Sequence, residues 1–293
     1  MDKAQFAMKI NIDVFNLYDR ACKVYRNICD SNSVKYVLVQ GIDGKWFDRE
    51  NVSVEIPLAR VQGVDREWIG RENVNVEIPI AHVQVIDSEQ LSAATSEIDN
   101  VHFLDIEAGK IMEKAGTGIV FANFSVGSWN DELSPWSAEA VFKNQPFSGR
   151  AQETLGFVTD VFVPELVKRY GLSADVKVII GGYSLAGLFS LWAAYRTDIF
   201  YAVAAVSPSV WFPGWIEFTQ DKHIHADKVY LSLGNREERT NNRVMSRVGD
   251  NIRLQKEIFD GQSIRSVLEW NEGNHFRDVE ERVAKGFLWT ILQ

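Results

Sequence analysis

The chain holds only two cysteines among its 293 residues, no run of five or more Lys and Arg, and no stretch close to the roughly 18 apolar residues of a membrane span. Each absence excludes something. Cys22 and Cys29 lack the usual zinc spacings. On the helix that the local pattern predicts, their Cα atoms lie roughly 10 Å apart at about 1.5 Å per residue, beyond disulfide reach, so they read as reduced small hydrophobes. A formal charge of -9 and a pI near 5.2 repel phosphate backbones and anionic lipid surfaces. Neither nucleic acid nor a membrane is an expected partner. Residues 1–30 lack a basic lead followed by an unbroken apolar stretch, so a cytoplasmic location is expected.

What is present is a composition of 46% hydrophobic and 12% aromatic residues, ample for one large core, and 1–293 is read as a single domain. Val14, Phe15, Tyr18, Ala21, Cys22, Tyr25, Ile28 and Cys29 recur at three- and four-residue spacing, which predicts an amphipathic helix at the start. Residues 34–40 (VKYVLVQ) read as a strand ending in the turn-prone Gly41-Ile42-Asp43-Gly44.

A tandem repeat of 22 residues follows. VQGIDGKWFDRENVSVEIPLAR from Val39 returns as VQGVDREWIGRENVNVEIPIAH from Val61, and a third start, VQVID, appears at Val83. Val52, Val54, Ile56 and Leu58, like Val74, Val76, Ile78 and Ile80, alternate with polar residues or proline, so each copy predicts one half-buried strand. Pro57 and Pro79 point to a sheet edge. Two copies fall short of the three or so that a solenoid needs, and 39–87 is read as a strand-rich insertion. Its edge strands offer a surface for pairing with a second subunit, and hence for a homo-oligomer.

From about Val101 the pattern alternates. A helix near 104–114, a strand at 118–124, a long helix at 149–170 kinked at Pro164, and a strand at 176–182 are predicted. A helix at 184–195, strands at 201–206 and 228–233, a helix at 241–259, a strand at 264–270 and a closing helix from Asp278 complete the series. This is an α/β fold with a mostly parallel sheet covered on both faces, in which chemistry collects at the carboxyl ends of the strands.

At one such end Gly182-Tyr183-Ser184-Leu185-Ala186-Gly187 passes from a buried strand into a helix. An elbow of G-x-S-x-G type strains the nucleophile's backbone and needs small residues two before and two after it; Gly182 and Ala186 meet that need. Ser184 is the candidate nucleophile. A serine hydroxyl needs an imidazole to take its proton, and five histidines are available. His82 and His102 precede the serine, against the chain order of such folds. His223 and His225 lie at the amino end of a strand, on the wrong side. His275 follows the last strand in a loop with Gly273 and Asn274, and is the candidate base.

The acid belongs after the strand before the last, where Glu237 and Glu238 are the first carboxylates. Glu237 needs the shorter excursion; Glu238, or a Ser-His dyad, is the alternative. One oxyanion donor is expected at the Leu185 N–H, at the positive end of its helix. The second is sought at 41–44, at 85–87 or after 118–124. Trp129, Trp136, Tyr183 and Trp211 suit the walls of a pocket for an apolar acyl or aromatic alcohol group, although core packing explains the same aromatics.

At these residues the chain resembles the esterase branch of the α/β-hydrolases that includes esterase D and the enterobactin-type siderophore esterases. The likeness spans about 118–293. It is carried by GGYSLAGL around Ser184, AVSPSVWF from Ala205, LGNREERTNN, EGNHFRD around His275 and NDELSPW from Asn130. It implies an α/β-hydrolase fold and a serine carboxylic ester hydrolase with a Ser-His-Glu triad, a backbone oxyanion hole and no metal or organic cofactor. The implied substrate is a small or siderophore-like ester. The repeat region departs from that pattern. The same triad transfers acyl groups to alcohols, so an acyltransferase is the rival enzyme. A binding protein on this fold is the rival of another class, and loss of Ser or His would mark it; both are present.

Overall fold

Residues 9–28, 34–44, 84–87, 103–141 and 144–293 are described in the computed structural model of the chain. Where the apolar spacing predicts an opening helix, the chain forms a hairpin of β1 (Lys9–Leu17) and β2 (Arg20–Ile28). A period of two lies beneath the three-and-four spacing. Ile10, Ile12 and Tyr25 bury on one face of the sheet, and Cys22 and Val24 on the other. The hairpin turn is Tyr18-Asp19, with Leu17 paired to Arg20 and Tyr18 itself at φ 55°. It contains no glycine, so the usual hairpin signature is missing. Burial pushes the Cys22 thiol up to about 12, against Arg20 and Arg169, which leaves it an inert apolar group. Cys29 lies outside the described residues.

The first and third repeat starts have different fates. The first ends β3 (Val34–Asp43) in the middle of the sheet; the third supplies β4 (Gln84–Asp87), antiparallel to β1 at the outer edge. The strands predicted at 52–58 and 74–80 lie outside the described residues, as do His82 and His102.

The expected alternation then follows: α1 (Phe103–Lys114), β5 (Gly118–Val126) and a short α2 (Trp129–Glu132). The two-stranded ribbon of β6 (Ser137–Ala138) and β7 (Phe147–Ser148) leads to α3, residues 151–170. That helix is α-helical over Ala151–Gly156, widens to a π-helix over Phe157–Phe162 and is α-helical again over Val163–Tyr170. The widening sits directly before Pro164, which lacks the N–H that a regular turn would use.

β8 (Lys177–Tyr183), α4 (Leu185–Ala194), β9 (Phe200–Val206), α5 (Trp215–Gln220) and β10 (Lys228–Gly234) come next. A 3-10 turn at Met245–Arg247 enters α6 (Val248–Gly261), which begins later than the sequence pattern predicts because 241–244 are turn and loop. β11 (Arg265–Asn271) and α7 (Val279–Leu292) close the chain.

The main sheet runs β11-β10-β9-β8-β3-β5-β2-β1-β4, with β5, β3, β8, β9, β10 and β11 mutually parallel. Beneath α3, α4, α5 and α6 one face buries Phe162, Leu188, Trp215, Ile252 and Phe259. Beneath α1 and α7 the other buries Leu104, Ile111, Met112 and Phe287. This is the α/β-hydrolase arrangement, with β3 at the centre of the sheet and β8 beside it. Among the described residues no helix is long and apolar enough to cross a membrane.

Candidate active site

Between β8 and α4 the chain turns within one residue. Ser184 stands at φ 59° and ψ -119°, a conformation costing roughly 1–3 kcal/mol for a residue with a side chain. The turn closes only because its neighbours are small. A Cβ on Gly182 would lie 2.6 Å from the Ala186 Cβ, and one on Gly187 would lie 2.9 Å from the Gly182 carbonyl oxygen. The Ser184 N–H donates to the Val206 carbonyl at 3.0 Å, and its own carbonyl accepts from Leu188 at 3.1 Å and Ser209 at 3.0 Å. These bonds tie the elbow to the end of β9 and hold the strain in place. The helix therefore starts at Leu185, one residue later than predicted, and the Leu185 N–H has no partner within it.

Three further strand ends deliver side chains to the Ser184 hydroxyl. From the loop after β11, His275 places Nε2 3.0 Å from Ser184 Oγ. From the loop after β10, Glu237 places Oε2 2.7 Å from His275 Nδ1. From the end of β9, Ser209 brings its hydroxyl within 3.3 Å of Ser184 Oγ. A carboxylate only accepts, so Nδ1 carries the imidazole proton and Nε2 is left to accept from the serine. Hydroxyl, imidazole and carboxylate stand in series, an arrangement that moves a proton off Oγ.

Glu237 is 4% exposed in its side chain, and its second oxygen is fully used. Oε1 accepts from the Gly234 N–H at 2.7 Å, the Ser207 hydroxyl at 2.8 Å and Arg282 Nη2 at 2.7 Å. Burial alone would raise the carboxyl, but the His275 bond and charge, together with Arg282 and Gly234, hold it below its ordinary value. Glu238 faces the other way, paired with Arg253 at 3.1 Å on the surface. Of the two neighbouring carboxylates, only Glu237 joins the serine and histidine.

The remaining expectations divide. His223 and His225 precede β10 at the opposite end of the sheet, where the His225 N–H binds the Ala194 carbonyl. Tyr183 lies against the His275 ring, with ring centres 5.0 Å apart, and donates to the His275 carbonyl at 2.8 Å. Trp136 is engaged in packing against Phe212 and Phe218, its Nε1 bound to the Pro213 carbonyl at 2.9 Å. Trp129 and Trp211 are partly buried against the same apolar core. Of the three candidate oxyanion loops, 85–87 lies in β4, five strand spacings from β8, or roughly 24 Å at about 4.8 Å each. That loop is excluded by distance. Gly41–Gly44 ends the strand directly beside β8.

Sequence reasoning missed Arg282. It is 2% exposed and reaches Glu237, Ser207 and Tyr183 from α7. The signal was available: Val283, Gly286, Phe287 and Ile291 mark the buried stripe of α7, and Arg282 lies on it. Among the described residues no three His, Cys, Asp or Glu gather as a metal site.

A family model described as "Putative esterase" matches residues 118–282. No curated protein matches the chain in sequence. Solved structures do. Siderophore hydrolase EstA from Aspergillus nidulans is 15% identical at a TM-score of 0.56, over 99% of this chain and 96% of that one. The BES protein from Bacillus cereus is 12% identical at 0.53, over 99% and 98%. The enterobactin hydrolase IroE in complex with DFP is 13% identical at 0.54, over 100% and 98%. At these identities the likeness speaks for the fold.

Proposed function

The chain belongs to the esterase family; from that premise we propose that it is a serine esterase and hydrolyses a small, siderophore-like carboxylic ester through Ser184, His275 and Glu237. The observation that carries the reading is the hydrogen-bonded series from Ser184 Oγ to His275 at 3.0 Å and from His275 to Glu237 at 2.7 Å.

In the proposed reaction His275 Nε2 takes the Ser184 proton as Oγ attacks the ester carbonyl, and Glu237 stabilises the imidazolium that forms. The tetrahedral oxyanion is held by the Leu185 N–H at the positive end of α4, with a second donor from the carboxyl end of β3 at Gly41–Gly44 beside it. The imidazolium then gives its proton to the leaving alkoxide, which departs as the alcohol. Water, deprotonated by the same imidazole, releases the acid from Ser184. The siderophore-like substrate class rests on the activities named for the structural neighbours.

A fluorophosphonate probe read by intact mass, alongside a panel of nitrophenyl and siderophore esters, tests it. Single labelling at Ser184 and turnover of at least one ester are expected. Absence of labelling in folded protein would overturn the nucleophile, and turnover of nitrophenyl esters alone would overturn the substrate class.

A further inference from the structure

Among the described residues, the only charged side chain that touches both Glu237 and the loop of His275 is Arg282, which acts on neither substrate nor nucleophile in the scheme above. Its planar fork has two ends, and each has its own task. Nη2 binds Glu237 Oε1 at 2.7 Å and also the Ser207 hydroxyl, which itself donates to the same Glu237 oxygen. Nη1 binds Tyr183 Oη at 2.9 Å, the Asn274 carbonyl at 3.2 Å and the Arg277 carbonyl at 3.4 Å. Tyr183 in turn holds the carbonyl of His275. One guanidinium thus secures the carboxylate on one side and, directly or through Tyr183, the carbonyls of residues 274, 275 and 277 on the other.

We propose that Arg282 is a positioning residue of the esterase site, whose two-ended fork sets the distance between Glu237 and His275. The proposal rests on the reading of Ser184, His275 and Glu237 as the triad. Its physical basis is the geometry of the group. A buried ion pair is held by the hydrogen bonds that satisfy its other donors and acceptors; here the Glu237 Oε1 atom has three donors and the two Nη groups of the fork reach five acceptors, while the buried Nε makes no hydrogen bond among the described residues. Lysine carries the same charge as a point on a flexible stem and cannot span both ends. Charge alone is therefore not sufficient; the fork is. Tyr183 serves the same frame. Burial first, and then the Glu237 charge, push its phenol up to about 12 against the pull of Arg282, so it stays a hydrogen-bond donor to the His275 carbonyl.

Arg282→Lys tests the fork with the charge kept, and Arg282→Ala with added methylguanidinium tests whether the group itself suffices. Turnover is expected to fall about a hundredfold in Arg282→Lys with KM within about twofold, the scale on which a 1 Å misplacement acts. Methylguanidinium should restore part of the loss in Arg282→Ala. The imidazole Nδ1–H proton, read by NMR without any substrate, should be sharp and far downfield in the parent and shifted or lost in Arg282→Lys. If Arg282 variants do not fold, Tyr183→Phe carries the test at constant ring volume, with an expected loss of about tenfold, at the lower end for supporting partners. An unshifted Nδ1–H resonance with kcat within about twofold of the parent in the folded variants overturns the proposal. A parent that neither labels nor hydrolyses esters, yet shows the resonance and its dependence on Arg282, would overturn the triad's function and leave the positioning role standing.

Discussion

The two ends of the nine-stranded sheet are built by opposite rules. At one end β8, β9, β10 and β11 run parallel, and β10 is buried along its whole length. At the other, β4, β1 and β2 run antiparallel, with Val14 and Tyr18 in solvent and Arg26 paired to Asp13 across the hairpin at 3.0 Å. Parallel strands need a crossover each time, so every carboxyl end opens on the same side. That is how Ser184 and His275, 91 positions apart, come within a hydrogen bond. An antiparallel hairpin sends alternate loops to opposite sides and joins only sequence neighbours. The proposed chemistry therefore gathers at the first end, and the second contributes sheet area and core.

Four measurements sharpen or break that contrast. Ser184→Ala has the largest expected effect, a loss in turnover on the order of 10³ or more with the folded state intact, since pocket and oxyanion donors remain. Unchanged ester hydrolysis there would remove the parallel end's claim to the chemistry. His275→Ala should lose nearly as much and abolish the rise of rate with pH that a neutral imidazole base imposes, while His223→Ala, at the amino ends of the same strands, leaves the profile unaltered. If His223→Ala copies His275→Ala, the argument from strand ends fails.

Glu237→Gln should cost on the order of 10² or more in kcat, because an amide favours the wrong tautomer, whereas Glu238→Gln stays within about twofold, its pair being on the surface. The same Glu237→Gln change leaves the Arg282 charge buried and unpaired, for an expected loss of about 3–5 kcal/mol in stability. The pH dependence has a definite sign. Glu237 is held below its ordinary 4.5, so its contribution is full above that value and is lost as pH falls through the lower folded one. Denaturant titrations should show the parent's advantage over Glu237→Gln narrowing below about pH 4.5; an advantage that widens there contradicts a lowered carboxyl.

The smallest effect on turnover belongs to the antiparallel end. Ile10→Ala empties a fully buried site in β1 and should cost about 2–4 kcal/mol of stability with kcat unchanged per folded molecule. A fall in kcat beyond the unfolded fraction would show that the two ends are coupled.

Much of the parallel end was legible in the chain. Apolar runs such as KVIIGG and KVYLSL are what strands buried on both faces look like, and the small residues around Ser184 are required by the elbow itself. Chain order then singled out His275 and narrowed the carboxylate to Glu237 or its neighbour Glu238, because in a parallel sheet order along the chain converts directly into which loop reaches the site. The hairpin was misread because its two strands present apolar residues to two different cores, and the mixture of faces imitates a helical stripe. No glycine marked its turn.

By itself, then, the sequence determined the alternation of strands and helices, the strained turn at Ser184 and the order of the three groups, since each follows from local periodicity, size or succession. Only the tertiary structure decided that Glu237 and not Glu238 meets the imidazole, that β3 and not 85–87 lies beside the strand that carries Ser184, and that Arg282 reaches both Glu237 and the loop of His275. The first two are choices between adjacent or repeated residues of like composition, and the third is a contact between elements far apart in the chain. They are settled by which way a loop turns and which strand pairs with which, and burial from elements far apart in the chain imposes both.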